Sequence, residues 1–306
     1  MGIHRRNAEK PSRKRGPGKS SLTGGKTTSR KPSSDSNLPV FLEELYARYN
    51  SRAFVHPDPL EFLYRYKNVE DREIVGLVAS CLAYGRVSQI LTSVAGLLDL
   101  LGDSPASFID GTSRQELGRR LGGFRHRFTT GRQIAALLWG VKKTRDDFGS
   151  LEGCFAEHLD SGHAKMLHAQ EGFCEHIRRR SAEDLKFLLP SPRDKSACKR
   201  LNLYLRWMVR EDDVDPGGWT KVPASKLLIP LDTHMFAVGT ALGFTRRRTA
   251  DLKSVLEVTS GFERIVPKDP ARYDFALTRH GIWGDGPSFY ATLKNEFSND
   301  AEVAST

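Results

Sequence analysis

The chain has 306 residues and a formal net charge of +10. That length accommodates one large domain or two smaller ones with a sizeable core. No apolar run approaches a membrane span and no secretory apolar core stands near the start, so the expected location is the cytoplasm, or the nucleoid of a bacterial cell. The charge is uneven. Residues 1–38 hold ten Lys/Arg against Glu9 and Asp35, a net +8 that leaves about +2 for the rest. A nucleic-acid argument for the body must therefore rest on local patches. Cys81, Cys154, Cys174 and Cys198 show neither Cys-x-x-Cys spacing nor a disulfide framework, so free thiols and no metal site are expected.

Residues 1–38 are rich in Ser, Gly, Lys, Arg and Pro and have few large apolar groups. Such a segment cannot offset its ordering entropy, and disorder is expected. It reads either as a basic arm adding salt-sensitive nucleic-acid affinity or as a solvated extension; its Arg/Ser-rich, acid-poor start also fits a transit peptide. From Leu38 the apolar spacing turns helical through Phe41, Leu42, Leu45 and Tyr49. Leu60, Phe62 and Leu63 start a second helix after the break at His56-Pro57-Asp58-Pro59. Glu73–Leu82 reads as a buried helix leading into Ala83-Tyr84-Gly85-Arg86, and Gln89–Leu101 as another. A basic patch surrounds Arg125 and Arg127, Ile134–Val141 reads as a core helix, and Arg178-Arg179-Arg180 is a second basic run. Either cluster alone reads as a solvated face or as a phosphate contact. Strand-like alternation is scarce, and the fold class is all-α.

After the tight connection Leu189-Pro190-Ser191-Pro192, the segment Lys195–Arg210 reads as one helix. Lys195, Lys199, Arg206 and Arg210 then share a narrow stripe, with Leu201, Leu205 and Met208 on another face. No acidic residue interleaves the stripe, which favours an anionic partner over a merely solvated face. An acidic loop with Trp219 follows. Then comes Ile229-Pro230-Leu231-Asp232-Thr233-His234-Met235-Phe236-Ala237-Val238, where Asp232 fits a helix N-cap and Gly243 a left-handed end. Thr249 is expected to cap the next helix, and Asp269-Pro270 to start the last, with Tyr273, Phe275 and Leu277 inward; the polar end, 296–306, is expected to fray.

Leu231-Asp232-Thr233-His234-Met235-Phe236-Ala237-Val238 resembles the Val-Asp-Thr-His-x-Phe-x-Val signature of helix-hairpin-helix DNA glycosylases, the endonuclease III-like superfamily. Weaker likeness covers most of residues 40–285: Asp58–Gln89 looks like the family's first helices, Asp251–Pro267 like the helix after the signature, and Phe275–Gly281 like its closing helix. Cys198–Leu203, Arg206-Trp207-Met208 and Ile229–His234 look most like a bacterial group related to the superfamily. The resemblance implies a helical glycosylase-like domain over 39–295, with lobes at about 90–185 and at 39–89 plus 186–295.

One departure matters. Common members carry a Leu-Pro-Gly-Val-Gly hairpin and a lysine roughly twenty residues before the aspartate. Here that distance reaches Glu211-Asp212-Asp213. Lys199 and Lys195 lie 33 and 37 residues upstream, a spacing more similar to the archaeal 8-oxoguanine glycosylase branch, and Leu189-Pro190-Ser191-Pro192 would be a hairpin without its glycines. The resemblance implies a lysine nucleophile, Lys199 or alternatively Lys195, with Asp232 as acid/base partner and no cofactor. A phosphate contact is the alternative role for Lys199. Lowered amine pKa beside other cations would serve the attack. Expected nucleic-acid contacts are Arg86, Gln89, Arg125, Arg127, Lys195, Arg200, Arg206 and Arg210. A base drawn out of the stack would meet Tyr84, Trp207, Trp219, His234 or Phe236, each of which also reads as a packed residue. The expected partner is DNA, with RNA as the alternative. The rival to an enzyme is a non-catalytic nucleic-acid-binding protein on the same scaffold.

Overall fold

The computed structural model describes residues 38–159 and 166–298, all within one compact unit. Residues 1–37 of the arm expected to be disordered, and 299–306 of the end expected to fray, lie outside the described residues. Thirteen α-helices run in order among the described residues: α1 Leu38–Tyr49, α2 Val69–Cys81, α3 Val87–Leu101, α4 Pro105–Gly111, α5 Arg114–Leu121, α6 Gly131–Phe148, α7 Leu151–Glu157, α8 Leu167–Arg179, α9 Lys199–Val209, α10 Thr233–Ala241, α11 Leu252–Ile265, α12 Asp274–Trp283 and α13 Gly286–Phe297. The only sheet among them is a hairpin of two-residue strands, β1 Arg125–His126 and β2 Thr129–Thr130, with Arg127 at φ 50° in its turn. The all-α class holds. None of the described helices is long and apolar enough to cross a membrane, and all four cysteines are free and buried.

The elements differ from the sequence reading where a polar start signal competes with apolar spacing. Pro59–Arg65 is a 3-10 helix, capped by Asp58 through the Leu60 amide at 2.9 Å. Helix α11 is capped by Asp251, whose carboxylate accepts the Ser254 amide at 3.0 Å, and not by Thr249. The segment from Asp269 stays irregular until Asp274, so the last predicted helix begins later. It is also not the last, because Asp285 and Pro287 start α13. Phe297, in the end expected to fray, is buried against Phe41 at 5.0 Å between ring centroids.

The principal correction concerns Lys195–Arg210. The helix begins only at Lys199. Pro192–Asp194 forms a short 3-10 turn, and Lys195 and Cys198 both adopt left-handed backbone, at φ 57° and 48°. Lys195 is therefore not in register with Lys199, Arg206 and Arg210, and the four-cation stripe does not exist. Arg206 and Arg210 are also buried, at 3% and 5% exposure.

Helices α5, α7 and α8 pack around α6; α2 packs along α9; and α1, α10, α12 and α13 pack together. A buried carboxylate ties distant pieces. Glu73 on α2 accepts the Leu151 and Glu152 amides that open α7, at 3.2 and 2.9 Å, and the indole N–H of Trp219 at 2.7 Å. Burial raises its pKa, and those three donors with Arg145 hold it back. Helices α6 and α8 approach so closely that a Cβ on Gly140 would stand 2.4 Å from the Ile177 carbonyl oxygen. That neighbour is backbone and cannot swing aside. Gly140→Ala should therefore destabilise the protein by about 1–3 kcal/mol by overpacking, against the roughly 1 kcal/mol that alanine gains in helix propensity. Urea unfolding of the two proteins measures the difference; a more stable alanine variant would show that the helices separate easily.

Candidate functional site

A cavity of about 200 Å³ lies where five parts of the chain converge: the Pro57–Pro59 loop, the Ala83–Val87 loop, one face of α9, the N-terminal end of α10, and α12. Lys199 and Asp232, 33 residues apart in sequence, both line it. Lys199 is the first residue of α9. Among the described residues its amine makes no hydrogen bond or ion pair, and it is half-buried. Asp232 is the N-cap of α10: its Oδ1 accepts the Met235 amide at 2.8 Å, and its carbonyl accepts the Phe236 amide at 2.8 Å. The cap fixes the carboxylate's orientation while the second oxygen stays free of that bond. Lys195 does not reach this cavity. It is exposed and lines the neighbouring open groove.

Two ion pairs form the rest of the charged wall. Arg279 on α12 donates to Asp58 and to the Val55 carbonyl, the latter at 3.3 Å. Arg206 on α9 donates to Asp274 and, through Nε at 3.2 Å, to Asp215. The second pair belongs to a larger buried network, in which Arg210 reaches Asp215, Asp269 at 2.9 Å and Asp212 at 2.8 Å. Burial alone would lower the pKa of Arg206, but Asp215 and Asp274 raise it, so it stays charged. Arg206 and Arg210 are thus consumed inside the protein and are withdrawn as phosphate contacts. Asp274 and Arg279 carried no expected role. The signal was present in Tyr273–Arg279, where a carboxylate and a guanidinium interrupt an apolar run and need buried partners.

The structure distributes the other expected residues unevenly. Tyr84 is half-buried at the cavity and donates its hydroxyl to the His126 carbonyl at 2.8 Å, tying the loop to the β1–β2 hairpin. Gly85 beside it adopts φ 98°, and the Arg127 side chain lies over it. Trp207 borders the cavity but is fully buried, so it is a core residue and offers no stacking face. Trp219 is away from the cavity, packed edge-on to Tyr204 at 5.4 Å and bonded to Glu73, so it is withdrawn as a stacking residue. His234 is bonded to the Tyr290 hydroxyl at 2.8 Å, and neither His234 nor Phe236 lines the cavity. Arg200 donates to the Cys81 carbonyl at 2.7 Å and to the Phe187 carbonyl, so its guanidinium is already engaged. Arg86, Gln89, Arg125 and Arg127 are exposed, and none makes a side-chain hydrogen bond or ion pair among the described residues. No His, Cys, Asp or Glu cluster among the described residues fits a metal ion.

Fold and site together define an all-α protein with a small, mixed-charge cavity holding one free amine, Lys199, and one capping carboxylate outside the ion pairs, Asp232. The chain belongs to DUF2400, a family of proteins of unknown function, whose family model matches residues 58–283. No curated protein and no solved structure matches it.

Asp274 sets a pH dependence. Its carboxyl is 3% exposed and is pushed up to about 6, by burial first, with Asp232 and Asp215 adding and Arg206 opposing. In the unfolded chain an aspartate titrates near 3.9. The folded state therefore keeps a proton that the unfolded state gives up. The stability this contributes is complete below about pH 4 and is lost as pH rises through about 6. From about pH 4.5 to about pH 7.5 the protein should lose on the order of 2 kcal/mol from this group. Asp274→Asn should remove that decline, leaving a flatter stability profile by urea unfolding at the two pH values. An unchanged slope would place the proton on another carboxyl of the network.

Proposed function

We propose that the protein is a DNA N-glycosylase with lyase activity, on a helix-hairpin-helix-type scaffold, that excises a damaged base with Lys199 as nucleophile and Asp232 as its partner. The observation that carries this reading is that Lys199 and Asp232 line one cavity, and that the amine there is free of any partner. In the reaction the Lys199 amine attacks the anomeric carbon of the sugar as the bond to the base breaks, and the base leaves with the bonding pair and takes a proton. Asp232 stabilises the positive charge that develops on the sugar and accepts the proton that the lysine nitrogen sheds. The sugar ring then opens to a lysine Schiff base, its oxygen taking the proton that Asp232 holds, and strand cleavage follows when a C2′ proton is removed to water and the 3′ phosphate leaves with the bonding pair.

The cavity supports this chemistry in size as well. At about 200 Å³ it is smaller than the about 300–1,000 Å³ of ordinary small-molecule sites, so it suits one planar ring system better than a whole nucleotide. Tyr84, Val87, Ile90, Leu203 and Phe275 provide the apolar wall. A target base would have to leave the stack to enter.

A specific observation departs from the glycosylase pattern and keeps the second reading, a non-catalytic DNA- or RNA-binding protein that makes its contacts elsewhere, in play. The turn in the place of the glycine-rich hairpin is closed on itself. Arg178 donates to the Leu189 carbonyl at 2.9 Å and to Asp194 at 2.7 Å, and the Ser191 amide donates to Asp194 at 3.0 Å. The Asp194 and Lys195 amides are bonded inside the same turn. Few backbone donors are left there for a phosphate.

Borohydride trapping separates the readings. The purified protein would be offered duplexes carrying 8-oxoguanine, an oxidised pyrimidine, uracil or an abasic site. A covalent adduct is expected on at least one, absent in Lys199→Gln and retained in Lys195→Gln. Asp232→Asn should slow base release about 100-fold or more. Nucleic-acid binding with neither adduct nor base release on any duplex would refute the enzyme and leave the binding protein.

A further inference from the structure

An open groove of about 950 Å³ lies beside the cavity and shares Ala83, Tyr84, Gly85 and Lys199 with it. Lys186, Phe187, Lys195 and Arg200 continue its wall. Its two carboxylates are already engaged: Asp194 pairs with Arg178 and Asp251 with Arg247, each at 2.7 Å. Lys186, Lys195 and Lys199 have no such partner among the described residues, so the groove carries free positive charge. Phe187 on the groove and Phe128 at the tip of the β1–β2 hairpin are 48% and 71% exposed, and their ring centroids are 6.2 Å apart.

These rings are held, not loose. The Arg200 guanidinium sits 4.9 Å from the Phe187 centroid and 5.2 Å from that of Tyr84, and Tyr84 meets Phe187 edge-on at 5.1 Å. Arg127 lies 5.6 Å from the Phe128 centroid. Exposing two phenylalanines side by side costs apolar hydration, which the packed rings beneath do not require. A charged groove flanked by exposed aromatic faces matches what a single nucleic-acid strand needs: cations along the backbone, and rings on which unpaired bases stack. Bases inside a duplex already have both faces covered by their neighbours.

We propose that this groove binds an unpaired DNA strand, with Phe187 and Phe128 stacking its bases and Lys186, Lys195 and Arg127 holding its phosphates. The proposal rests on and deepens the proposed function by naming what the DNA presents to the site, an unpaired stretch leading to the cavity at Tyr84 and Lys199, as forms where a base has left the stack. It does not need Lys199 to react.

The test is fluorescence anisotropy of the full chain with a labelled oligothymidine of about 15 nucleotides, a length within the site sizes of single-strand binders, and with a duplex of the same length. Oligothymidine has no damaged base, so the readout is independent of excision. The wild type is expected to prefer the single strand. Phe128→Ala/Phe187→Ala is expected to weaken single-strand binding about 10-fold or more with duplex binding unchanged, since stacking is worth about 1–3 kcal/mol per base and the substitutions leave charge unaltered. Phe128→Ala alone, at the most exposed ring, should give part of that loss without threatening the fold. Lys199→Gln should still show the full aromatic dependence, so failure of the glycosylase chemistry and failure of this proposal are distinguishable. Equal binding of single strand and duplex, or single-strand affinity untouched by both aromatic variants, would overturn it.

Discussion

The structure depends on a buried charge network, Arg206 and Arg210 facing Asp212, Asp215, Asp269 and Asp274. Two guanidiniums meet four carboxylates, none of which lies on α9, the helix that carries Arg206 and ends at Arg210. Asp212 and Asp215 sit in the loop after α9, Asp269 ahead of α12, and Asp274 at the start of α12. Burying a lone ion costs several kcal/mol, so no member is tolerated without the others. Removing one arginine would strand carboxylates in the interior, a loss of about 3–5 kcal/mol by analogy with other broken buried pairs. The network therefore does what apolar packing alone does poorly: it fixes which loop lies against which helix end.

That fixation reaches the cavity. Helix α9 carries Lys199 in its first turn and Arg206 two turns later, so clamping Arg206 between Asp215 and Asp274 sets the position of the amine. Helix α12 is clamped at both ends of its buried face, by Asp274 to Arg206 and by Arg279 to Asp58. Asp232 is held separately, by capping α10. The carboxylates also oppose one another. Four acids share two cations, and Asp274, the member that borders the cavity, is pushed up by burial first, with the fields of Asp232 and Asp215 adding. A second acid, with its carboxyl pushed up, thus stands in the same wall as the capping carboxylate Asp232.

Much of this was legible in the sequence wherever the signal was local. The all-α class followed from spacings of three and four, and the cap at Asp232 from a proline, an aspartate and an apolar run in immediate succession. That Lys199 and Asp232 meet in one cavity fits the pairing that the resemblance implied, although neither residue's spacing alone required it. The charged stripe misled because its logic was also local. Arg206 has no acidic residue three or four positions away, and Asp212 and Asp215, which meet the two arginines, lie in the loop after α9; the remaining partners Asp269 and Asp274 lie about sixty residues further on, beyond any helical-spacing rule. The register failed for a different reason. Lys195 and Cys198 take left-handed backbone without being glycine, and only the packed turn Pro192–Asp194 makes that conformation acceptable.

The hairpin shows where helical reasoning stops. With two residues in each strand and Arg127-Phe128 between them, it has no alternation long enough to read, and its sequence looks like part of a basic patch. What stabilises it is a buried histidine: His126 bonds Ser93 on α3 at 2.8 Å and the Tyr84 carbonyl at 3.1 Å, while Tyr84 returns a bond to the His126 carbonyl. Burial lowers the pKa of His126, so the ring is held neutral, as a residue bridging one carbonyl and one hydroxyl should be. A rigid two-sided anchor of this kind allows the next residues, Arg127 and Phe128, to project into solvent without fraying. The charge network thus places the cavity, and a loop held by one buried histidine presents the aromatic tip, Phe128, against Phe187. Helices set position here, and the short connections carry the exposed side chains, Phe128 and Phe187 among them.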